Sequence, residues 1–185
     1  MVQLELVLAE VQASSELMDG DMSTTFGAGF HATPGKAVDA SAYDRWTGRW
    51  SRLFIPAVLA AAAVGPKYRV LDVSTGTGEA ARMALPLVGT EGVVVGADIS
   101  PAMLTSARAG LHGSSFLPVA ADGQALPFRD ASFDAVVCQL GLQFFPDPAQ
   151  GVREFRRVLR NSGRVAICAG VDGLSSPRFY GAPAS

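Results

Sequence analysis

The chain has 185 residues, of which 49% are hydrophobic and 17% charged, and its formal net charge is −2. This composition predicts a globular domain with a core of its own and excludes an intrinsically disordered chain. The small net charge gives no field that favours nucleic acid or an anionic membrane surface as a partner, so we expect neither.

The N-terminal region is predicted as an arm or helix over residues 1–40, with Leu4–Met18 as the helix candidate. A second helix is expected over Ala42–Val64, interrupted near Gly48 or Pro56. Its apolar part, Leu53–Val64, is too short to span a bilayer. We therefore expect one domain over residues 41–169, followed by an irregular tail over residues 170–185, and no membrane span.

Strands and helices then alternate along the chain. The five predicted strands are continuous apolar runs: Arg69–Val73, Val93–Ala97, Ser115–Val119, Phe133–Leu140 and Arg164–Ala169. The helices between them are predicted over Glu79–Leu85 (ending at Pro86), from the capping residue Ser100 to Ala109, and over Pro148–Arg160 with Asp147 as its cap. Alternating apolar strands and helices predict an α/β fold with a parallel sheet covered on both faces.

The turn after the first predicted strand is the strongest functional signal. Small residues, Ser74-Thr75-Gly76-Thr77-Gly78, follow Val73, and the second strand ends at Asp98, twenty residues after Gly78. Small residues let a backbone approach a ligand closely, and a carboxylate at the next strand end accepts hydrogen bonds from ribose hydroxyls. The pattern predicts a nucleotide-type cofactor site, but it also fits a dinucleotide fingerprint.

Three features argue against a nicotinamide cofactor. Asp72 precedes the turn, where a dinucleotide site has no acid, and Asp122 follows the third predicted strand beside Gly123. The segment after the fourth strand is apolar and aromatic, without a Tyr-Lys pair for hydride chemistry. Cys138 and Cys168 lie in apolar strands without metal-ligand spacing, so we expect no metal site and a reduced, cytoplasmic protein.

Four sequence blocks carry a family resemblance: Leu71–Gly78, Gly96–Leu104, Ala121–Phe128 and Phe155–Val165. Over about Ala42–Ala169 the chain resembles the class I S-adenosylmethionine-dependent methyltransferases. Within them it is similar to the small-molecule group that includes the ubiquinone/menaquinone-biosynthesis C-methyltransferases. The resemblance implies a Rossmann-like doubly wound sheet, mostly parallel, with predicted strand order 3-2-1-4-5 and about five of the usual seven strands. It implies methyl transfer from S-adenosylmethionine (SAM) to a small organic acceptor.

The resemblance also implies roles for individual residues. Asp72 would order the loop and the amino group of SAM. The residues around the methionine part of SAM would be those of the turn and those beside it: Asp72, Ser74, Thr75, Gly76, Gly78, Gln139 and Leu140. Asp98 would bind the ribose hydroxyls. The adenine would be surrounded by Ile99, Met103, Ala121, Asp122 and Gly123, with Asp122 accepting its amino group. Tyr43 and Phe144 are candidate substrate contacts.

Two departures from the family pattern leave alternatives open. Ser74 replaces the usual first glycine of the turn, and we expect binding to survive if that position needs no positive φ. The chain also stops soon after the fifth predicted strand. We therefore interpret it as C-terminally truncated, and that strand would be an exposed edge. The alternatives are a SAM-binding but inactive module, a homo-oligomer or partner that covers the edge, and, least favoured, an NAD(P)-dependent reductase. His31 and His112 lie away from strand ends, so no general base is assigned.

Overall fold

The computed structural model describes residues 3–9 and 49–170. The elements are β1 (Gln3–Ala9), α1 (Arg49–Ala61), β2 (Arg69–Val73), α2 (Glu79–Val88), β3 (Val93–Asp98), α3 (Pro101–Gly110), β4 (Phe116–Ala120), β5 (Phe133–Gln139), a short 3-10 helix (Leu142–Phe144), α4 (Pro148–Val158) and β6 (Leu159–Gly170).

The sheet has six strands in the order β1-β6-β5-β2-β3-β4, and every neighbouring pair is parallel. The five predicted strands correspond to β2 through β6, and their predicted order is confirmed. The chain moves outward from β2 through β3 to β4, then returns to β5 on the other side of β2. Ligands of such sheets bind at the carboxyl ends of the strands beside this reversal, which places the candidate site next to β2 and β5.

The N-terminal segment differs from the prediction. Residues Gln3–Ala9 form a strand, not the start of a helix, and pair in parallel with Arg164–Gly170 of β6. The sequence alternates leucine at positions 4, 6 and 8 with other residues, which is the two-residue period of a strand. The edge of β6 predicted to be exposed is therefore paired with β1. The rest of the N-terminal prediction and the tail after Gly170 lie outside the described residues.

Two helices continue past prolines. The sequence predicted an interruption near Gly48 or Pro56 and the end of a helix at Pro86. Helix α1 contains Pro56, and α2 runs past Pro86 to Val88 before its chain turns at Gly89. A proline removes one backbone hydrogen bond from a helix. The last turn of α2 buries Val88, which is 1% exposed, and this burial offsets the lost bond. Helix α4 ends at Val158, two residues earlier than predicted, because Leu159 already pairs with β5.

The core lies in two layers, one on each face of the sheet. Adjacent residues of β2 belong to different layers, because Val70 packs with α1, α2 and α3 whereas Leu71 packs with α4. A strand buried on both faces must be largely apolar, as β2, β3 and β5 are. Within the described residues, no helix is long and apolar enough to cross a membrane.

Candidate functional site

The loop between β2 and α2 is organised around the carboxylate of Asp72. Asp72 is 1% exposed. One of its oxygens accepts hydrogen bonds from the Thr75 hydroxyl at 2.7 Å and from the Ala81 amide at 3.1 Å. The amide of Thr75 in turn donates to the carbonyl of Ala97 in β3. These bonds fix the loop to the first turn of α2 and to the neighbouring strand.

Two glycines give this loop a backbone conformation that other residues adopt only at a cost in free energy. Gly76 and Gly78 have φ of 55° and 86°, in the left-handed region. A Cβ at position 78 would also lie 3.0 Å from the side chain of Leu111 and 3.1 Å from that of Ala107. Glycine at position 78 therefore lets the loop pack against α3.

Asp98 lies at the end of β3 with both carboxylate oxygens oriented by the backbone. One oxygen accepts from the Gly76 amide and the other from the Ser100 amide, each at 2.8 Å. The residue is 8% exposed, and this burial raises the pKa of its carboxyl above the ordinary value while the amide bonds oppose the rise. Asp98 thus joins the glycine loop to the start of α3, whose first turn Ser100 caps.

Asp122 lies just beyond β4 in a loop attached to α4. Its carboxylate accepts from the backbone amide of Gln124 at 2.8 Å and from the Gln124 side chain at 3.2 and 3.3 Å. Gly123 is essential to the shape here, since a Cβ would collide with the ring of Phe145 and lie 3.0 Å from the Val73 side chain. The loop therefore lies flat against the end of β2.

A cleft opens between these loops at the carboxyl ends of the strands. It holds about 850 Å³ of space, counting its open mouth. Ten of the residues singled out from the sequence line it: Ser74, Gly76, Asp98, Ile99, Met103, Ala121, Asp122, Gly123, Leu140 and Phe144. The convergence of residues from separate chain segments, which follow β2, β3, β4 and β5, makes this cleft the candidate site.

Four of the singled-out residues that the structure describes do not line the cleft. Asp72, Thr75 and Gly78 support the loop from beneath. Gln139 points to α1, where its side-chain amide donates to the carbonyl of Ser51 at 3.1 Å. Tyr43 lies outside the described residues.

Comparison with known proteins fits this architecture. A family profile described as a methyltransferase domain matches residues 71–167. The chain belongs to the class I SAM-dependent methyltransferase family. The matched segment contains every singled-out site residue except Tyr43.

Individual relatives support the family assignment, and each matches only part of this chain and of its own length. The uncharacterized protein Rv1405c of Mycobacterium tuberculosis is 37% identical over 133 residues, or 68% of this chain and 47% of the relative. The ubiquinone/menaquinone biosynthesis C-methyltransferase UbiE of Hahella chejuensis is 42% identical over 102 residues, or 53% of this chain and 41% of the enzyme. An S-adenosylmethionine-dependent methyltransferase structure from Mesorhizobium loti superposes with a TM-score of 0.55 at 28% identity, covering 60% of this chain and 50% of that one. The chain spans about half the length of the curated relatives it matches.

In this methyltransferase domain Ser74 does adopt a positive φ, 56°. The condition under which we expected cofactor binding to survive the replacement of glycine by serine is therefore not met. A non-glycine residue in the left-handed region costs about 1–2 kcal/mol. The side chain of Ser74 is accommodated because its neighbour is Gly141, where a Cβ would lie 2.5 Å from the Ser74 hydroxyl oxygen.

Four lining residues of the methyltransferase cleft were missed by the sequence reasoning: Ala97, Gln124, Gly141 and Pro146. Phe145, from the predicted apolar and aromatic segment after the fourth strand, also lines the cleft. Phe145 forms a wall between two glycines, because a Cβ at Gly123 or Gly151 would collide with its ring. Its ring meets that of Phe155 edge-on, with centroids 6.1 Å apart. The sequence signal for this wall was the two glycines, Gly123 and Gly151. Their contact with the same ring is visible only in the folded structure.

Proposed function

We propose that the cleft binds SAM and that the protein containing this chain transfers its methyl group to a small organic acceptor. The observation that carries the proposal is the placement of three aspartates, Asp72, Asp98 and Asp122, at the carboxyl ends of the adjacent strands β2, β3 and β4. Two of them line one cleft, and the third orders the glycine loop at its floor.

The donor and acceptor set of the cleft fits the ribose of SAM. Asp98 would hold the two ribose hydroxyls, which are donors. Its oxygens are already oriented by the amides of Gly76 and Ser100, and a carboxylate oxygen accepts more than one hydrogen bond. Orientation before binding reduces the ordering that binding must otherwise supply.

The adenine side of the cleft has an apolar surface beside a carboxylate. Ile99 is 38% exposed although it is a large apolar residue, and it lines the cleft together with Met103. A flat aromatic base would cover this surface. Asp122 would accept the exocyclic amino group of that base.

Beneath the glycine loop, on the methionine side of the cleft, lies a buried acceptor without a partner among the described residues. The second oxygen of Asp72 is buried and has no hydrogen-bond partner in the described part of the chain. A buried unpaired acceptor costs free energy. Because Asp72 does not line the cleft, its proposed part in holding the ammonium group of SAM is to order the glycine loop. Burial raises the pKa of Asp72 to about 7, and a bound ammonium would favour the ionised form.

When bound, SAM supplies an electrophilic methyl group on a sulfonium centre. The chain would hold the acceptor in line and exclude water. Leu140, Phe144 and Phe145 give this end of the cleft an apolar and aromatic wall. The acceptor we propose is a small aromatic compound, because this wall is itself apolar and aromatic. The UbiE relatives, named for quinone biosynthesis, agree with this class.

The test of the proposed site is calorimetric titration of two variants with S-adenosylhomocysteine (SAH). Asp98→Ala is expected to weaken binding at least about tenfold, or 1.4 kcal/mol, because two hydrogen bonds to a charged acceptor are lost. Glu91→Gln is the control, since it removes one exposed carboxylate paired with Lys67. Equal dissociation constants for Asp98→Ala and the wild type would reject the ribose assignment.

The acceptor class is tested with methyl-labelled SAM and a panel of phenols, quinols and amines. Transfer of label to phenols or quinols, reduced in Asp98→Ala at subsaturating SAM, is the expected result. Transfer to amines alone would reject the aromatic acceptor while leaving the cofactor site intact. The cytoplasmic location stays a prediction, with which the two free, buried cysteines agree.

A further inference from the structure

Gln124 joins two loops that border the cleft. Its side-chain nitrogen donates to both oxygens of Asp122, at 3.2 and 3.3 Å, and its side-chain oxygen accepts from the Asp147 amide at 2.8 Å. Asp147 is the residue that caps α4. Gln124 itself lines the cleft beside Asp122, so one amide side chain connects the carboxylate to the start of a helix.

The backbone around Gln124 is held independently of this side chain. The backbone amide of Gln124 donates to Asp122, and its carbonyl accepts from the Gln150 side chain at 3.2 Å. The loop therefore has anchors besides the Gln124 side chain. Among the described residues, the Gln124 side chain alone bonds both oxygens of Asp122, and this pair of bonds fixes the plane of the carboxylate.

We propose that Gln124 is a positioning residue that makes the cleft selective for a 6-aminopurine by preventing the Asp122 carboxylate from rotating. The inference rests on the proposed function, in which Asp122 accepts the amino group of adenine.

The selectivity follows from the chemistry of the purine edge. Adenine presents a donor at position 6, whereas hypoxanthine presents an oxygen there and a donor at the adjacent ring nitrogen. A fixed carboxylate aimed at position 6 bonds the amino group and repels the oxygen. A carboxylate free to rotate reaches the neighbouring ring N–H and accepts either base. Polar groups that a wrong ligand leaves unpaired give strong discrimination.

The experiment compares SAH with S-inosylhomocysteine, which differs in the 6-amino group, by calorimetry on the whole chain. The wild type is expected to prefer SAH by about tenfold or more. Gln124→Ala is expected to reduce this ratio to about threefold or less, mainly by weakening SAH binding. Gln124→Glu is expected to lower the ratio as well, because it keeps an acceptor for the Asp147 amide but loses the donor to Asp122.

Gln150→Ala is the matched control. It removes the side-chain bond to the Gln124 carbonyl and leaves the Gln124 side chain in place, so the SAH preference should equal that of the wild type. A wild-type preference retained in both Gln124 variants would overturn the inference. An equal loss of preference in Gln150→Ala would overturn it too, since loop anchoring would then be the cause. If the wild type binds neither compound, the proposed function itself fails.

Discussion

The contact between Ser74 and Gly141 leads to a prediction about coupled substitutions. Gly141 has φ of −106°, which any residue adopts, so Gly141→Ala is limited by space alone. The added Cβ would overlap the Ser74 side chain, lying 2.5 Å from its hydroxyl oxygen, and would lie 3.1 Å from the Cys138 sulfur. Overpacking of this kind costs about 1–3 kcal/mol.

Ser74→Gly removes the main obstacle. Alone, it relieves left-handed strain of about 1–2 kcal/mol and loses about 0.5–1 kcal/mol through the greater freedom of glycine in the unfolded chain, so we expect a small gain in stability. In the Ser74→Gly background, the two nearest atoms to the added Cβ are gone, and the Cys138 sulfur at 3.1 Å remains. We expect its cost to fall by about 1–2 kcal/mol, which is a typical coupling energy for residues in contact.

The assay is urea unfolding of the wild type, both single variants and the double variant, with equal m-values required. Gly163→Ala is the control substitution, because its Cβ would meet Leu159 and the Asp134 carbonyl oxygen, neither of which involves Ser74. Its cost should be the same in the wild type and in the Ser74→Gly background. If Gly141→Ala costs the same free energy in both backgrounds, the described packing of the turn is wrong.

Three further substitutions test the loop, the α4 attachment and the helix ends. Burial raises the pKa of Asp72 to about 7, above an unfolded value near 3.9. The stability that its proton contributes is therefore complete below about pH 4 and lost as pH rises through 7. Asp72→Asn should gain on the wild type in free energy of unfolding from about pH 4 to 7, and parallel pH courses would count against this. Arg157 donates to Glu154, Asp130 and two loop carbonyls. Arg157→Ala should lower the free energy of unfolding in urea by about 2 kcal/mol, and Arg157→Lys by nearly as much, since an ammonium lacks the forked donors of a guanidinium. Full rescue by lysine would show that charge alone matters. Pro86→Ala should raise the thermal midpoint, with a gain of about 1 kcal/mol from the restored amide, and a lower midpoint would mean that the proline geometry is required.

The strands and their order were predictable because each of β2 to β6 contains an apolar run. The same reasoning failed for Gln3–Ala9, because a short apolar segment fits a helix or a strand and only pairing with β6 decides between them. It also failed at Pro56 and Pro86. There, burial of the helix outweighs a local signal to stop, and burial cannot be evaluated before the fold is known.

The candidate site was predictable where chemistry and strand ends coincide, as at Asp98 and Asp122. Sequence reasoning could not foresee that Gln139 would point to α1, because the direction of a strand's last residue depends on the turn that follows. Leu140 adopts a positive φ of 53° directly after it. Sequence reasoning could not foresee the place of Gln124 either, since Gln124 contacts Asp147, which is distant in sequence.

The measurement that tests the central claim most directly is calorimetric titration of the chain with SAH, with NADH as the control ligand. The account predicts saturable one-to-one binding of SAH and none of NADH. A folded, monodisperse sample that binds neither ligand, or binds NADH alone, would contradict the claim that this cleft is a SAM site.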